Sequence, residues 1–153
     1  MADINQLRRI LKQSRVIAVV GLSGNWNRPS YFAASYMQTK GYRIIPVNPG
    51  YDEILGETCY PDLQSIPESV DIVDCFRKAD QIPQLARDAV SIGAKCLWMQ
   101  LGIFSDEAAA IADAGGLEVI MNRCVKIEHA RLFGGLNFAG VNTGIISAKR
   151  PQY

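Results

Sequence analysis

The sequence has few of the residues from which metal centres and covalent catalytic sites are built. It contains one histidine, His129, and its four cysteines lack the close C-x-x-C spacing of zinc and dithiol motifs. Near His129 no serine or cysteine forms a recognisable nucleophile arrangement with a partnered base. We therefore predict no catalytic residue and no metal site, and we expect the thiols to be buried or idle.

Charge of one sign and long apolar runs are also scarce. The 153 residues carry a net charge of +1, and the basic residues are scattered rather than arranged in a stripe. No apolar run approaches membrane length, and the polar start MADINQLRR does not read as a secretory signal. We expect one domain over residues 1–153, a cytoplasmic location, and neither a nucleic-acid nor a membrane partner.

A third absence concerns a carboxylate after the second predicted strand. A NAD-binding unit usually places Asp or Glu there to hold the ribose hydroxyls. This chain instead reads IIPVNP over residues 44–49, and Asp52 and Glu53 come only after two prolines and a glycine. Ordinary NAD binding is disfavoured and stays an alternative.

What is present is the opening of a nucleotide-binding βαβ unit, over residues 15–49. The apolar run Val16 to Val20 is typical of a parallel strand covered on both faces. Gly21 ends this run and Gly24 follows, so backbone amides there can approach a ligand closely. Such glycines also serve simple tight turns, and both interpretations stay open at this point.

Three residues at the start of the next predicted helix give this loop its chemical character. Pro29 suits the first helical turn, Ser30 offers a hydroxyl, and Arg28 offers a planar set of donors that matches phosphate. Each residue alone is explained by a helix cap or a solvated side chain. Together on a glycine turn they favour an anionic, phosphorylated ligand.

The alternation of strands and helices continues along the chain. The pattern predicts an α/β fold, a three-layer Rossmann-like doubly wound parallel sheet of about five strands in the order 3-2-1-4-5. Helices are expected between the strands, and residues 130–153 form a C-terminal tail whose apolar content favours a homodimer contact. The five predicted strands are Val16 to Val20, Tyr42 to Val47, Asp71 to Phe76, Cys96 to Leu101 and Glu118 to Met121.

Ligands of such sheets bind beyond the carboxyl ends of the strands, where the strand order reverses. Phe76 and Arg77 follow the third strand, where an aromatic face can stack on a base and an arginine can reach a phosphate. The alternative makes Phe76 the end of a core strand and Arg77 a solvated residue. Cys124 also lies near this edge, and a mixed disulfide with a thiol ligand is a further hypothesis.

Several segments at the tips of successive strands resemble one family. They are VVGLSGNWNRPSY, GYRIIPVNPGY, ILGETCYPDLQSIPESVDIVDCFR, WMQLGI and MNRCVKIEH, and they cover roughly Arg15 to His129. They resemble the stand-alone CoA-binding proteins, small Rossmann domains similar to the N-terminal domain of the succinyl-CoA synthetase α subunit. The resemblance implies that CoA or an acyl-CoA lies across the carboxyl edge of the sheet.

The resemblance also implies a set of cofactor-binding residues. The pyrophosphate would be held by the first loop, the adenosine would lie beside the end of the second strand, and Phe76 and Arg77 would lie near the adenine or the 3′-phosphate. The fourth strand's end would border the pantetheine arm. The full set is Gly21, Ser23, Gly24, Arg28, Pro29, Ser30, Val47, Asn48, Pro49, Phe76, Arg77, Gln100, Gly102 and Asn122.

Three functions stay open from the sequence. The leading prediction is a non-catalytic module that binds CoA or an acyl-CoA. The second is a subunit or partner of an acyl-CoA ligase, or a thioester-handling enzyme that uses His129; the synthetase carries its phosphorylated histidine in a second domain. The third is an NAD(H)-responsive regulator on the same fold.

Overall fold

The computed structural model describes residues 3–133 of the chain. Helices and strands alternate along it. In chain order they are α1 (Ile4–Gln13), β1 (Val16–Val20), α2 (Pro29–Thr39), β2 (Arg43–Val47), β3 (Glu53–Ile54), β4 (Glu57–Thr58), β5 (Ile72–Cys75), α3 (Ile82–Ser91), β6 (Cys96–Met99), α4 (Asp106–Ala114), β7 (Glu118–Ile120) and α5 (Val125–Phe133).

The main sheet has five parallel strands and a layer of helices on each face. Alternate residues of β1 contribute to two cores, since Ile17 and Val19 pack on one face and Ala18 and Val20 on the other. Helices α1, α2 and α5 cover the first face, and α3 and α4 cover the second. The prediction of an α/β, Rossmann-like doubly wound parallel sheet is confirmed.

The predicted strand order is wrong in one respect. The sheet runs β2-β1-β5-β6-β7, which is 2-1-3-4-5 when only its five strands are counted, instead of 3-2-1-4-5. Pro46 gives the physical reason: it lies within β2, has no N–H to donate, and is tolerated in an edge strand. The β2 strand is therefore an edge, and β5 pairs with β1 from Ile17 opposite Ile72 to Val20 opposite Cys75.

The connection from β2 to β5 contains no long helix. It consists of the antiparallel hairpin β3–β4 and a short 3-10 helix at Leu63–Ser65. Tyr60 lies along the outer edge of β2, where its N–H donates to Pro46 O at 3.0 Å and its carbonyl accepts from Asn48 N at 2.9 Å. These bonds pair part of the open edge of the sheet.

Most of the predicted tail lies outside the described residues. Residues 130–133 complete α5, and residues 134–153 are not described. The homodimer contact expected of this segment stays a prediction. Within residues 3–133 no helix combines the length and the apolar character that a membrane crossing requires.

Candidate ligand-binding site

A cleft of about 350 Å³ opens at the carboxyl ends of β1 and β5, and we call it the carboxyl-edge cleft. The loop after β1, the first turn of α2 and the loop after β5 form its walls, and the loop after β6 adds one residue. Seven predicted site residues line it together with two others. The lining residues are Gly21, Ser23, Arg28, Pro29, Ser30, Phe76, Arg77, Lys78 and Ile103.

Gly21 allows the β1 loop to pack directly on the chain that leaves β5. Its φ of +87° is in the left-handed region that favours glycine, and its N–H donates to Val47 O at 2.9 Å. A Cβ at this position would lie 2.3 Å from the carbonyl oxygen of Phe76. The glycine is therefore required both by the turn and by the close approach of two loops.

Two serine hydroxyls fix the shape of the β1 loop. The buried Ser30 accepts a hydrogen bond from Ser23 N at 3.0 Å, and the Ser23 hydroxyl accepts one from Asn25 N at 3.0 Å. Pro29 occupies the first turn of α2, as predicted, and the Arg28 side chain makes no cap hydrogen bond. No hydrogen bond within residues 3–133 engages the Ser30 N–H, which leaves this amide at the helix N-terminus for a ligand.

Every charged residue of the cleft lining is a cation. Arg28, Arg77 and Lys78 line it without any Asp or Glu. None of these three side chains takes part in the ion pairs formed within the described part of the chain. Uncompensated cations beside a helix N-terminus create a positive field that favours a phosphorylated anion.

The residues predicted at the end of β2 lie next to this cleft but not in its lining. Val47 is buried, and Pro49 is exposed. The Asn48 amide donates to Leu22 O at 3.1 Å, and its Oδ1 accepts from Gly50 N at 2.9 Å. The Asn48 side chain therefore joins the β1 and β2 loops, a role that the sequence pattern did not indicate.

The ring of Tyr51 leaves no room for a side chain at position 24. A Cβ on Gly24 would lie 2.8 Å from Cε1 of Tyr51, so the glycine leaves room for this ring against the β1 loop. Tyr51 is 39% exposed and forms an apolar surface beside the loop. The glycine that sequence reasoning assigned to a ligand approach is in contact with the chain itself.

Gln100, at the end of β6, is buried and points into the core. Its Nε2 donates to Oδ1 of Asp74, a buried carboxyl on the central strand β5, and its Oε1 accepts from Val125 N at 3.4 Å. Burial raises the pKa of Asp74 to about 7, and the Gln100 hydrogen bond opposes that rise. Gln100 therefore connects the middle of the sheet to the start of α5.

Gly102 and Asn122 meet at a different part of the carboxyl edge. The Gly102 N–H donates to Oδ1 of Asn122 at 2.7 Å, which joins the loops after β6 and β7. Asn122 lines a separate, wider groove with Leu101 and Phe104. These two predicted residues are brought to each other and not to the carboxyl-edge cleft.

The strand order explains this division of the predicted residues. In the observed order the reversal lies between β1 and β5, so the loops that follow these two strands form the cleft. The loop after β6 lies one strand further along the sheet, and of its residues only Ile103 lines the cleft. Lys78 and Ile103 are cleft residues that sequence reasoning missed; the signal for Lys78 was its position directly after Arg77.

The histidine and the cysteines lie outside the cleft lining. His129 is buried in α5, where its Nδ1 is 3.0 Å from the Tyr36 hydroxyl, and burial and then Lys40 lower its pKa. All four cysteines are free, and Cys75 and Cys96 are buried in strands as expected. Burial raises the pKa of the Cys124 thiol, although the backbone N–H groups of residues 126 and 127 oppose this rise.

Comparison with known proteins places this geometry in a family. The sequence model of the CoA binding domain matches residues 15–130. The protein YneT of Bacillus subtilis (strain 168) is 40% identical over 125 residues, which cover 82% of this chain and 93% of YneT. A hypothetical protein from Pyrococcus horikoshii OT3 has a solved structure with a TM-score of 0.85 and 37% identity, covering 87% of this chain and 94% of that one.

Larger enzymes contain a similar segment. The ADP-forming acetate–CoA ligase II of Archaeoglobus fulgidus is 28% identical over 133 residues, which cover 84% of this chain and 20% of the ligase. The chain thus spans about a fifth of the length of that enzyme. With the family model matching most of the described residues and a Rossmann-like sheet beneath them, the chain belongs to the CoA-binding domain family.

Proposed function

We propose that the protein is a single-domain module that binds CoA or an acyl-CoA at the carboxyl-edge cleft without catalysing a reaction. Membership of the CoA-binding domain family supports CoA as the ligand class. The observation that carries the proposal for this chain is the cleft itself. It combines three cations, no carboxylate and an unbonded amide at the N-terminus of α2.

The roles of the lining residues follow from their chemistry. Arg28 and the Ser30 N–H would hold the diphosphate at the start of α2, and Arg77 with Lys78 would pair with a further phosphate from the β5 side. Phe76 and Ile103 supply apolar surface for the uncharged parts of the ligand. Gly21 keeps the two loops close enough to act on one molecule.

The ligand is large compared with the cleft, so neighbouring loops would border the rest of it. Pro49 and Tyr51 are exposed on the β2 side, and Gly102 is exposed on the β6 side. We propose that these loops flank the adenosine and the pantetheine arm respectively. Val47, Asn48, Gln100 and Asn122 would support those loops from beneath through the contacts described above.

Calorimetric titration of the full chain with CoA, acetyl-CoA, NAD and ATP tests the proposal. We expect micromolar CoA binding that weakens as salt is added, because ion pairs with phosphate are screened. Arg28→Gln should weaken CoA binding by roughly 10- to 100-fold, the range expected for one charge-assisted hydrogen bond. Arg8→Gln, on the exposed face of α1, is the matched control and should bind CoA like the wild type.

Either of two results would refute the proposal. If only the titration with NAD produced binding heat, the Rossmann-like sheet would bind a nicotinamide nucleotide despite the missing carboxylate. Equal losses in Arg28→Gln and Arg8→Gln would mean that the cleft is not the site, since general charge would then explain the binding. Tighter binding of acetyl-CoA than of CoA would assign the protein to thioester recognition.

The similarity to the ADP-forming acetate–CoA ligase favours a second candidate function. The chain matches a fifth of that enzyme, so it would act as one part of an acyl-CoA ligase and need a separate partner for the remaining chemistry. Incubation of the isolated chain with acetate, CoA and ATP should then give no acetyl-CoA. Formation of acetyl-CoA only after addition of a co-purifying subunit would support this candidate.

A further inference from the structure

A second pocket, of about 320 Å³, opens at the amino edge of the sheet, and we call it the amino-edge pocket. It lies between the ends of α1, α2 and α5, beside the residues that precede β1 and β2. Its volume falls within the range of about 300–1,000 Å³ typical of small-molecule sites. Its lining residues are Leu11, Lys12, Ser14, Arg15, Lys40, Gly41, Tyr42, His129 and Phe133.

The amino-edge pocket is separate from the carboxyl-edge cleft. Arg15 directly precedes β1, whereas Gly21 directly follows it. The two positions are six residues apart along the strand direction, which corresponds to roughly 20 Å at about 3.3 Å per strand residue. No lining residue is shared between the two cavities.

The inner wall of the amino-edge pocket is aromatic and apolar. The rings of Tyr42 and Phe133 lie 5.6 and 5.2 Å from the His129 ring, between centroids. Leu11 adds an aliphatic surface, and the Tyr42 hydroxyl is used by a hydrogen bond to Leu11 O. Rings at these separations form a surface on which a flat or aliphatic group can pack.

The rim of the pocket carries three cations and no carboxylate. Lys12, Arg15 and Lys40 line it, and none of them takes part in an ion pair within residues 3–133. Lys12 and Lys40 lie at the ends of α1 and α2, where a cation is favourable near the helix dipole. That preference explains the positions of the two lysines. At Arg15 the nearby Asp71 carboxylate accepts from the backbone N–H at 2.8 Å and forms its ion pair with Lys95, so it does not pair with the guanidinium.

We propose that the amino-edge pocket binds a small carboxylate with an apolar or aromatic body. The carboxylate would pair with Arg15, flanked by Lys12 and Lys40, and the body would pack on Tyr42, His129 and Phe133. The Tyr36 hydroxyl contacts Nδ1 of His129, so Nε2 is the ring nitrogen left without a partner in the described part of the chain. It can form a further hydrogen bond with the ligand.

The charge of the following segment favours a separate ligand over the chain itself. Phe133 lines the pocket and is the last described residue, and residues 134–153 follow it in sequence. Their side chains include Lys149 and Arg150 and no Asp or Glu. Basic side chains do not neutralise a basic rim, whereas a free carboxylate does.

Titration of the full chain with phenylacetate, followed by NMR, tests the proposal. His129 is the only histidine, so its imidazole signals report on this pocket without assignment ambiguity. We expect these signals to shift and to saturate at millimolar phenylacetate. Phenylacetamide, the neutral analogue of the same shape, should bind more weakly because it lacks the charge.

Three variants decide between specific binding and general charge. Arg15→Gln should weaken phenylacetate binding about fivefold, as expected for one partly exposed ion pair. Arg8→Gln, on the same helix as Lys12 but outside the pocket, should bind phenylacetate like the wild type. Arg28→Gln should also leave phenylacetate binding unchanged, because Arg28 lies at the opposite edge.

The proposal is overturned if phenylacetate leaves the His129 signals unchanged, the result expected if residues 134–153 occupy the pocket. It is also overturned if Arg8→Gln weakens binding as much as Arg15→Gln. CoA titration of Arg15→Gln separates this inference from the proposed function. We expect CoA affinity equal to that of the wild type, whatever phenylacetate does.

Discussion

Replacing Asp74 by Asn should remove a large pH dependence of folding stability. Asp74 lies on the central strand β5, with Val19 of β1 and Trp98 of β6 as its register neighbours, and it is 2% exposed. Burial raises its pKa from 3.8 to about 7, against the opposing Gln100 hydrogen bond. The folded protein therefore holds a proton that the unfolded chain releases at lower pH.

The sign and the magnitude follow from proton linkage. Between the two pKa values the folded state binds more protons, so stability falls as pH rises through this window and the full loss is present above about pH 7. A pKa raised from 3.8 to about 7 corresponds to roughly 4 kcal/mol. Asn resembles the protonated carboxyl, and its oxygen can still accept the Gln100 hydrogen bond.

Urea unfolding of both proteins at about pH 5 and about pH 8 measures this difference. We expect the stability gain of Asp74→Asn over the wild type to be about 2–3 kcal/mol larger at the higher pH, because only the part of the window between pH 5 and about 7 separates the two conditions. Asp113→Asn, on the exposed face of α4, is the matched control. Its free energy of unfolding should stay within about 0.5 kcal/mol of the wild-type value at both pH values. The reasoning fails if the difference between Asp74→Asn and wild type is independent of pH, because Asp74 would then be ionised in the fold.

Two further predictions concern the glycine that begins the loop after β1 and the reactivity of the thiols. Gly21→Ala should destabilise the protein by about 3 kcal/mol, from left-handed strain plus the clash with Phe76 O, and should weaken CoA binding. Gly41 has a φ of +96° and no atom within 4 Å of a Cβ built on it, so Gly41→Ala should lower the free energy of unfolding by only about 1 kcal/mol, measured by thermal or urea unfolding. If both substitutions lowered it equally, the clash with Phe76 O would not explain the loss at Gly21. A thiol reagent should label Cys124 before the other cysteines, because Cys124 is the least buried of the four. The labelling should be slow, because burial raises the pKa of this thiol and lowers the fraction of thiolate. Mass spectrometry that shows Cys59 labelled first would contradict this prediction.

The sequence by itself determined the class of fold and the residues that form one wall of the carboxyl-edge cleft. A five-residue apolar run before Gly21 specifies a strand that must be covered on both faces, and alternation with helices then leaves few topologies. The residue types of Arg28, Pro29 and Ser30 also predicted the start of a helix, where backbone amides lack intrahelical partners. These features are short-range, so the printed order of residues is sufficient to predict them.

Tertiary structure decided which loops meet. The order of the strands depends on contacts between residues that are far apart in sequence, and the sequence of a single strand says little about which strands will be its neighbours. Pro46 is the one local signal, because it indicates that β2 lies at an edge of the sheet. With β5 next to β1, Phe76, Arg77 and Lys78 reach the cleft, while Gln100 turns inward to Asp74. Burial and neighbours are properties of the packed fold, so only the fold reveals the raised pKa of Asp74 and the cationic pocket beside His129.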